Sequence, residues 1–462
     1  MMRLLINTKI GENRGSSRIW LEQAAINVLG EPGQRLAIKV KDNSLVFAID
    51  NDGEVLLSKR TGRNSTIEKL LVEVRDSHLV KSINKTILEF FPHSKDLRIV
   101  VQRGLMIVKA GAISIKRLFS IETLKNKLKN NAYLSVTSMY GGGCIFDRAL
   151  HETFDSVGLE TKIDLFIERE KVYVDSAVTN QPELFSENCL IVQSDAQELC
   201  FTAGEHSGCD IFVVAAPCTA CSPSGRTVKS LKMPEDDPDA GNAVVDILKY
   251  LTLYFPPIFV LECERSYKNT ASFSLIVNRL KNLSYNVSFE VLDGKDFGGF
   301  EPRKRIFLVA TLFDEFDFDN LPQYSNIRTI DSILEDVPLD SPTYKSYDHL
   351  KSKLSRDKEK GNGFSMYLHD GSERNLQRII RRLYSKAGSC EPFYLHPEDE
   401  NKFRLFTSTE NARLRDVNPK VVDGLPETKK NEILGQSGVY TVFTSLFSEL
   451  ANLVNNLKSK AA

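Results

Sequence analysis

Hydrophobic and polar positions alternate with period two over much of the first 128 residues. Residues 35–41, 44–49, 54–57 and 97–102 each read as short strands, with Gly, Asn and Asp between them, which predicts hairpins. Residues 79–91 carry a helical pattern, and Trp20 lies in the run Ser17-Arg18-Ile19-Trp20-Leu21-Glu22. Residues 1–128 are therefore expected to form a small N-terminal β-rich module; it reads either as a plain half-exposed β domain or as one that contacts DNA or mediates self-association.

After a polar linker at 123–131 the pattern changes. Strand-length apolar runs begin near residues 132, 162, 189, 210, 257, 286 and 305, with helical stretches between them. Near-continuous apolar strands alternating with helices predict an α/β domain whose mostly parallel sheet is covered on both faces. This domain is expected over 129–311. From 312 to 427 the alternation stops and Pro322, Pro338, Pro342 and Pro392 punctuate a loop-rich segment, expected as an inserted domain. Residues 428–462 return to an amphipathic helical pattern, read as one C-terminal helix that completes the α/β domain.

Composition narrows the function. Lys+Arg 60 against Asp+Glu 61 leaves a formal net charge of -1, which excludes a protein that holds polyanions by bulk charge. The charge is uneven: eleven Lys/Arg face five Asp/Glu between Lys345 and Lys386, about +6. No apolar run reaches the roughly 18 residues that a spanning helix needs, so no membrane partner is expected. Eight cysteines in 462 residues are too sparse for a disulfide framework, and the expected setting is a reducing cytosol with free thiols.

One cysteine stands apart. Residues 210–216 form an apolar strand that runs into Pro217-Cys218, followed by a Ser/Gly/Pro loop ending at Arg226. A thiol at the C-terminal edge of a parallel strand opens into the crevice where α/β ligands sit, and a positive neighbour there lowers its pKa toward neutrality. Other readings compete. A cysteine also serves as a small core hydrophobe. Cys218-x-x-Cys221 is the spacing of a redox pair or half a metal site, but no second pair completes a zinc set, so no metal is expected.

Further motifs follow in order: Tyr140-Gly141-Gly142-Gly143, Glu168-Arg169-Glu170, Ser194-Asp195-Ala196, Pro217-Cys218, Glu262-Cys263-Glu264, Glu301-Pro302-Arg303-Lys304-Arg305 and Gly435-Gln436-Ser437. Their order and spacing over residues 132–460 resemble the S-adenosylmethionine-dependent DNA cytosine-5 methyltransferases of bacterial and mobile-element type. The resemblance implies a Rossmann-like methyltransferase domain with an inserted target-recognition domain, double-stranded DNA as partner, and S-adenosyl-L-methionine as cofactor, with S-adenosyl-L-homocysteine as product. It implies Cys218 as the nucleophile that adds to cytosine C6, Glu262 as the carboxyl that protonates N3, Arg305 as the holder of the base O2, and Arg303 as support for the loop and phosphate. For the cofactor it implies Tyr140, Gly141, Gly142 and Gly143 at the methionine and adenine ends. Glu168 would bind the ribose hydroxyls and Asp195 would lie near the adenine amino group, with Pro217, Gln436 and Ser437 closing the site. A cytosine in a duplex hides C5 and C6, so the base would be flipped into the pocket.

The chain departs from the family pattern. Cys263 stands where an Asn usually braces the Pro-Cys loop, and Glu264, Glu301 and Gln436 replace the usual Val, Gln and Asn. Glu264 and Glu301 are expected to bring negative charge to the base pocket and oppose both thiolate formation and phosphate binding. Two alternatives follow: a catalytically silent DNA-binding or regulatory relative, and an RNA cytosine-5 methyltransferase.

Overall fold

The computed structural model describes residues 2–61, 68–92, 94–198, 208–217, 221, 229–361 and 366–461. Cys218 lies outside the described residues, as do residues 362–365 of the basic segment. The chain divides into two units, Met1–Phe119 and Ser120–Ala462.

The first unit holds strands β1 (Arg3–Lys9), β2 (Gly11–Asn13), β3 (Ser16–Glu22), β4 (Arg35–Lys41), β5 (Ser44–Ile49), β6 (Val55–Thr61), β7 (Glu68–Arg75), β8 (Asp96–Gln102) and β9 (Leu105–Ala110). They pair antiparallel in the order β1-β8-β9-β5-β4-β6-β7-β3-β2. Helices α1 (Gln23–Leu29), α2 (Asp76–Ile83) and α3 (Ile87–Phe90) bury Ile26, Leu29, Leu79 and Ile87 among the inward residues of the strands. The single helix expected at 79–91 is thus two. Asn84 adopts a left-handed conformation (φ 54°) that ends α2. Thr86 restarts the chain as α3 by accepting the Glu89 amide while the Glu89 carboxylate accepts its own. Helix α4 (Ala112–Lys129) contains the boundary between the units.

The second unit is built on seven strands: β10 (Leu134–Met139), β11 (Thr161–Ile167), β12 (Phe185–Val192), β13 (Ile211–Ala215), β14 (Ile258–Glu264), β15 (Asn286–Asp293) and β16 (Lys304–Thr311), in the order β12-β11-β10-β13-β14-β16-β15. The first five are mutually parallel, and β16 runs antiparallel to both its neighbours. Alternate residues serve opposite faces, as strand geometry requires. Val213, Val260, Phe307 and Val309 pack on one side; Phe212, Val214, Phe259 and Leu308 pack on the other. Helices α5 (Ile145–Asp155) and α6 (Lys171–Asn180) cover the first side, α7 (Ala243–Tyr254) and α8 (Ala271–Asn282) the second.

A small sheet of β17 (Tyr367–His369), β18 (Pro392–Leu395) and β19 (Phe403–Arg404) follows, with helices α9 (Asp348–Glu359) and α10 (Ser408–Arg413). The expected C-terminal helix is again two, α11 (Glu427–Gln436) and α12 (Tyr440–Ala461). Ser437 leaves α11 with an extended backbone (ψ 162°), and a Cβ on Gly438 would lie 2.5 Å from the Phe443 ring, so the link before α12 keeps glycine. Helix α12 lies against α5 through Phe146, whose ring centre is 4.7 Å from that of Phe443 and 4.8 Å from that of Phe447. No helix among the described residues is long and apolar enough to cross a membrane.

The connections from β10 run outward to β11 and β12 on one side, while β13 and β14 lie on the other. The reversal of strand order falls between β10 and β13, the position where an open parallel sheet splays its loops and leaves a crevice.

Candidate active site

The chain leaves β10 through a turn in which Tyr140 (φ 60°), Gly142 (φ 56°) and Cys144 (φ 54°) are all left-handed before α5 begins. Such a conformation costs a non-glycine residue about 1–3 kcal/mol, and it persists where the surroundings over-determine it. Here the Tyr140 amide donates to Ile167 O (2.9 Å) and the Cys144 amide to Gly141 O (2.9 Å). A Cβ at Gly141 would lie 2.5 Å from both Phe166 and Ser138 Oγ, so only glycine lets the turn seat on the sheet. A Cβ at Gly142 would meet no protein atom, and Gly142 lines a cavity of about 180 Å³.

Five strand ends and one helix end supply the rest of that cavity. Glu168, beyond β11, accepts the Gly142 amide on one carboxylate oxygen and the Glu170 amide on the other, each at 2.9 Å. Burial holds its pKa above the ordinary value, against the pull of these backbone donors. Asp195, beyond β12, lies 3.6 Å from Arg169 Nη1. Pro217 lies two residues past Ala215, which is in register with Glu262 across β13 and β14. Glu262 is buried, and its Oε1 lies 2.7 Å from Arg305 Nε on β16. Burial raises the Glu262 pKa, and the guanidinium groups of Arg305 and Arg303 oppose the rise. At the end of α11, Gln436 donates to the Tyr173 hydroxyl (2.8 Å) and its carbonyl accepts from Arg305 Nη2 (3.4 Å). Tyr140, Gly141, Gly142, Gly143, Glu168, Asp195, Pro217, Glu262, Arg305, Gln436 and Ser437 all line the one cavity.

Arg303, expected to support the loop and phosphate, is not among the residues that line the cavity. It is buried at 3% exposure and donates to Ile380 O (3.1 Å) and Gly435 O (2.7 Å), so it ties Ile380 to the end of α11. Glu301 does not charge the base pocket either. It is fully buried, paired with Arg415 Nη2 at 2.9 Å and accepting the Ile380 amide at 2.9 Å. A buried carboxylate requires a partner of this kind, and Arg415 supplies it. Glu264, by contrast, does line the cavity, with Oε2 taking the Ser266 amide at 2.7 Å.

Some features were not legible in the sequence. The Cys263 thiol donates to Ala216 O at 3.4 Å, so the residue in the Asn position still braces the strand end before Pro217. Arg382, one of many cations in the basic segment, lines the cavity and pairs with Glu432; its neighbour Arg381 pairs with Glu391 at 2.7 Å. Nothing in a local charge run distinguishes these arginines from solvated ones.

A model of the C-5 cytosine-specific DNA methylase family matches residues 180–436. The chain belongs to that family. The type II methyltransferase M1.ScrFI of Lactococcus lactis subsp. cremoris is 25% identical to it over 263 residues, 54% of this chain and 64% of that protein. M.NlaX of Neisseria lactamica, also a type II methyltransferase, is 28% identical over 211 residues, 45% of this chain and 64% of that protein. The chain spans just under two thirds of the length of these two relatives. Among solved structures, the Entamoeba histolytica methyltransferase EhMeth is similar with a TM-score of 0.53 at 18% identity, over 69% of this chain and 98% of that one. The S. pombe Dnmt2 methyltransferase gives 0.53 at 16%, over 71% and 99%. These two likenesses show that this DNA methylase family member has a methyltransferase fold.

The cavity has an acidic lining that suits a cationic ligand. Six carboxylates line it (Glu168, Glu170, Asp195, Asp239, Glu262, Glu264) against three guanidinium groups (Arg169, Arg305, Arg382). That balance favours a sulfonium and ammonium over a polyphosphate. Glu168 is held by two amides and keeps lone pairs for hydroxyl donors, and the open side of Gly142 leaves room for close backbone approach.

Proposed function

We propose that the protein is a DNA cytosine-5 methyltransferase that acts on a flipped cytosine through a covalent adduct between Cys218 and C6. The observation that carries this reading is the placement of Glu262: a buried carboxyl with a raised pKa, ion-paired to Arg305, on the wall of the cavity that also receives Pro217 and the glycine turn.

C5 of cytosine is a poor nucleophile while the ring is aromatic. Addition of the Cys218 thiolate to C6, with proton transfer from Glu262 to N3, gives an enamine whose C5 carries the electron pair. Arg305 holds O2 and steadies Glu262. S-adenosyl-L-methionine, when bound, supplies the methyl group as an electrophile and leaves as S-adenosyl-L-homocysteine. Loss of the C5 proton to water and expulsion of the thiolate, with the N3 proton returned to Glu262, restore the ring. Glu168 binds the ribose hydroxyls, Asp195 lies at the adenine amino group and Tyr140 stacks on the adenine; the glycine turn, Pro217, Gln436 and Ser437 enclose the cofactor. Residues 312–427, with their basic stretch, form the target-recognition part, where charge contacts to phosphate position the protein.

The decisive measurement is transfer of labelled methyl from the cofactor to duplex DNA and to tRNA, side by side, followed by bisulfite sequencing of the product. Methylation of DNA at a defined sequence is the expected outcome. Methylation of tRNA alone would transfer the reading to RNA, and cofactor binding with neither product would make the protein a silent relative.

A second expectation concerns the cofactor alone. Glu168→Gln removes the charge from the hydrogen bonds to the ribose, a loss of about 1.5–3 kcal/mol, or roughly 10- to 100-fold in Kd. Calorimetric titration with S-adenosyl-L-homocysteine reads this without turnover. An unchanged Kd would remove Glu168 from the ribose site.

A further inference from the structure

The outer face of β3, β7 and β6 carries charge that methyl transfer does not use. The β3–β7 register sets Arg18 opposite Arg75 and Trp20 opposite Glu73, and the β6–β7 register sets Arg60 opposite Lys69. Like charges directly opposite each other on an exposed sheet face destabilise the pairing, and this face has two such pairs. One carboxylate stands among them. Glu73 lies 2.6 Å from Arg75, 3.4 Å from Arg18 and 3.6 Å from Arg60. Trp20 is flanked by two of these groups, with the Arg18 guanidinium 4.8 Å and that of Arg60 5.8 Å from its ring centre. Its indole N–H donates to Glu22 at 3.0 Å. Cation–π contact orients the guanidinium groups without neutralising them.

Four cations (Arg18, Arg60, Lys69, Arg75) against two carboxylates (Glu22, Glu73) leave the face positive on folding. Three of the cations, Arg18, Arg60 and Arg75, converge on Glu73, and Lys69 stands apart from them along β7. Lys69 and Arg75 are six residues apart along β7, about 20 Å at 3.4 Å per residue, close to the length of six base steps of a DNA strand. We infer that this face binds the phosphodiester backbone of duplex DNA, with Trp20 holding the arginines in place. The charge surplus and its rigid presentation beside Trp20 fit a polyanion, the choice of duplex rests on the DNA substrate proposed above, and the contact carries no base readout.

The test reads binding and does not depend on methyl transfer. The full chain is titrated against a labelled duplex by fluorescence anisotropy over about 50 to 200 mM salt. The triple variant Arg18→Gln, Arg60→Gln, Lys69→Gln is expected to bind more weakly. Its slope of log affinity against log salt should be shallower by about 0.9 for each phosphate no longer neutralised, up to about 2.7. Glu73→Gln, which removes the central carboxylate, is expected to act oppositely and tighten binding. Trp20 is the only tryptophan of the chain, so its emission should change when duplex is added to the wild type. Wild-type affinity and salt slope in the triple variant would overturn the inference. So would a dimer in sedimentation that the triple variant dissolves with DNA affinity unchanged, since the occupant would then be a second copy of the chain.

Discussion

Cys218→Ser is expected to abolish methyl transfer, by on the order of 10³-fold or more, while leaving cofactor affinity within about twofold. A serine hydroxyl keeps the shape of the side chain but is far less acidic than a thiol, and no anion of it accumulates at neutral pH to add to C6. Glu262→Gln gives the companion signature. It removes the proton that N3 must gain, a loss of roughly 10²- to 10⁴-fold. The wild-type rate has a further dependence with a definite sign. Burial keeps Glu262 protonated to higher pH than an ordinary glutamate, so the rate of the chemical step falls as pH rises through its pKa. The Gln variant should lose that descending limb. Single-turnover kinetics over pH, with labelled cofactor and duplex, measure both. A Cys218→Ser enzyme with ordinary turnover would sink the covalent pathway.

Glu301→Ala is expected to cost about 3–5 kcal/mol of stability and to lower the thermal midpoint of the second unit by several degrees. The substitution strands Arg415, which is fully buried, and removes the acceptor of the Ile380 amide. It also removes the carboxylate 3.9 Å from Arg303, the side chain that holds Gly435 and Ile380 together. Because Gln436 and Ser437 follow Gly435 into the cavity wall, weaker cofactor binding should accompany the loss. Thermal melts with and without S-adenosyl-L-homocysteine separate the two effects. An undisturbed melting point with faster methyl transfer would restore the sequence expectation that Glu301 is a harmful charge near the base.

Much of the second unit was legible in the sequence. Apolar runs at residues 162, 210 and 257 announce strands because a strand buried on both faces has no polar alternation to hide. Glu168, Pro217 and Glu262 follow such runs directly, and the end of a parallel strand opens on the crevice; the structure brings all three to one cavity. The N-terminal strands β4 and β5 were equally plain, since a tight Asp42-Asn43 turn joins two alternating runs. Helix continuity was less so. Residues 79–91 and 428–456 keep an amphipathic period across their breaks, and only local conformation at Asn84 and Ser437 interrupts them.

The sequence by itself determined the order of strands and helices, the chemistry at the strand ends and the family resemblance, because each depends on residues within a few positions of one another. Tertiary structure alone decided which charges serve the site. Glu301 meets Arg415 across 114 residues and Arg303 meets Gly435 across 132. Arg382 reaches the cavity from the basic stretch of the sequence, and Cys263 takes over a brace through a carbonyl 47 residues away. A charged side chain is solvated, paired or catalytic according to what surrounds it after folding, and the low dielectric of the interior makes that choice worth several kcal/mol. The pattern along the chain records that a charge is present, not which partner removes it from water.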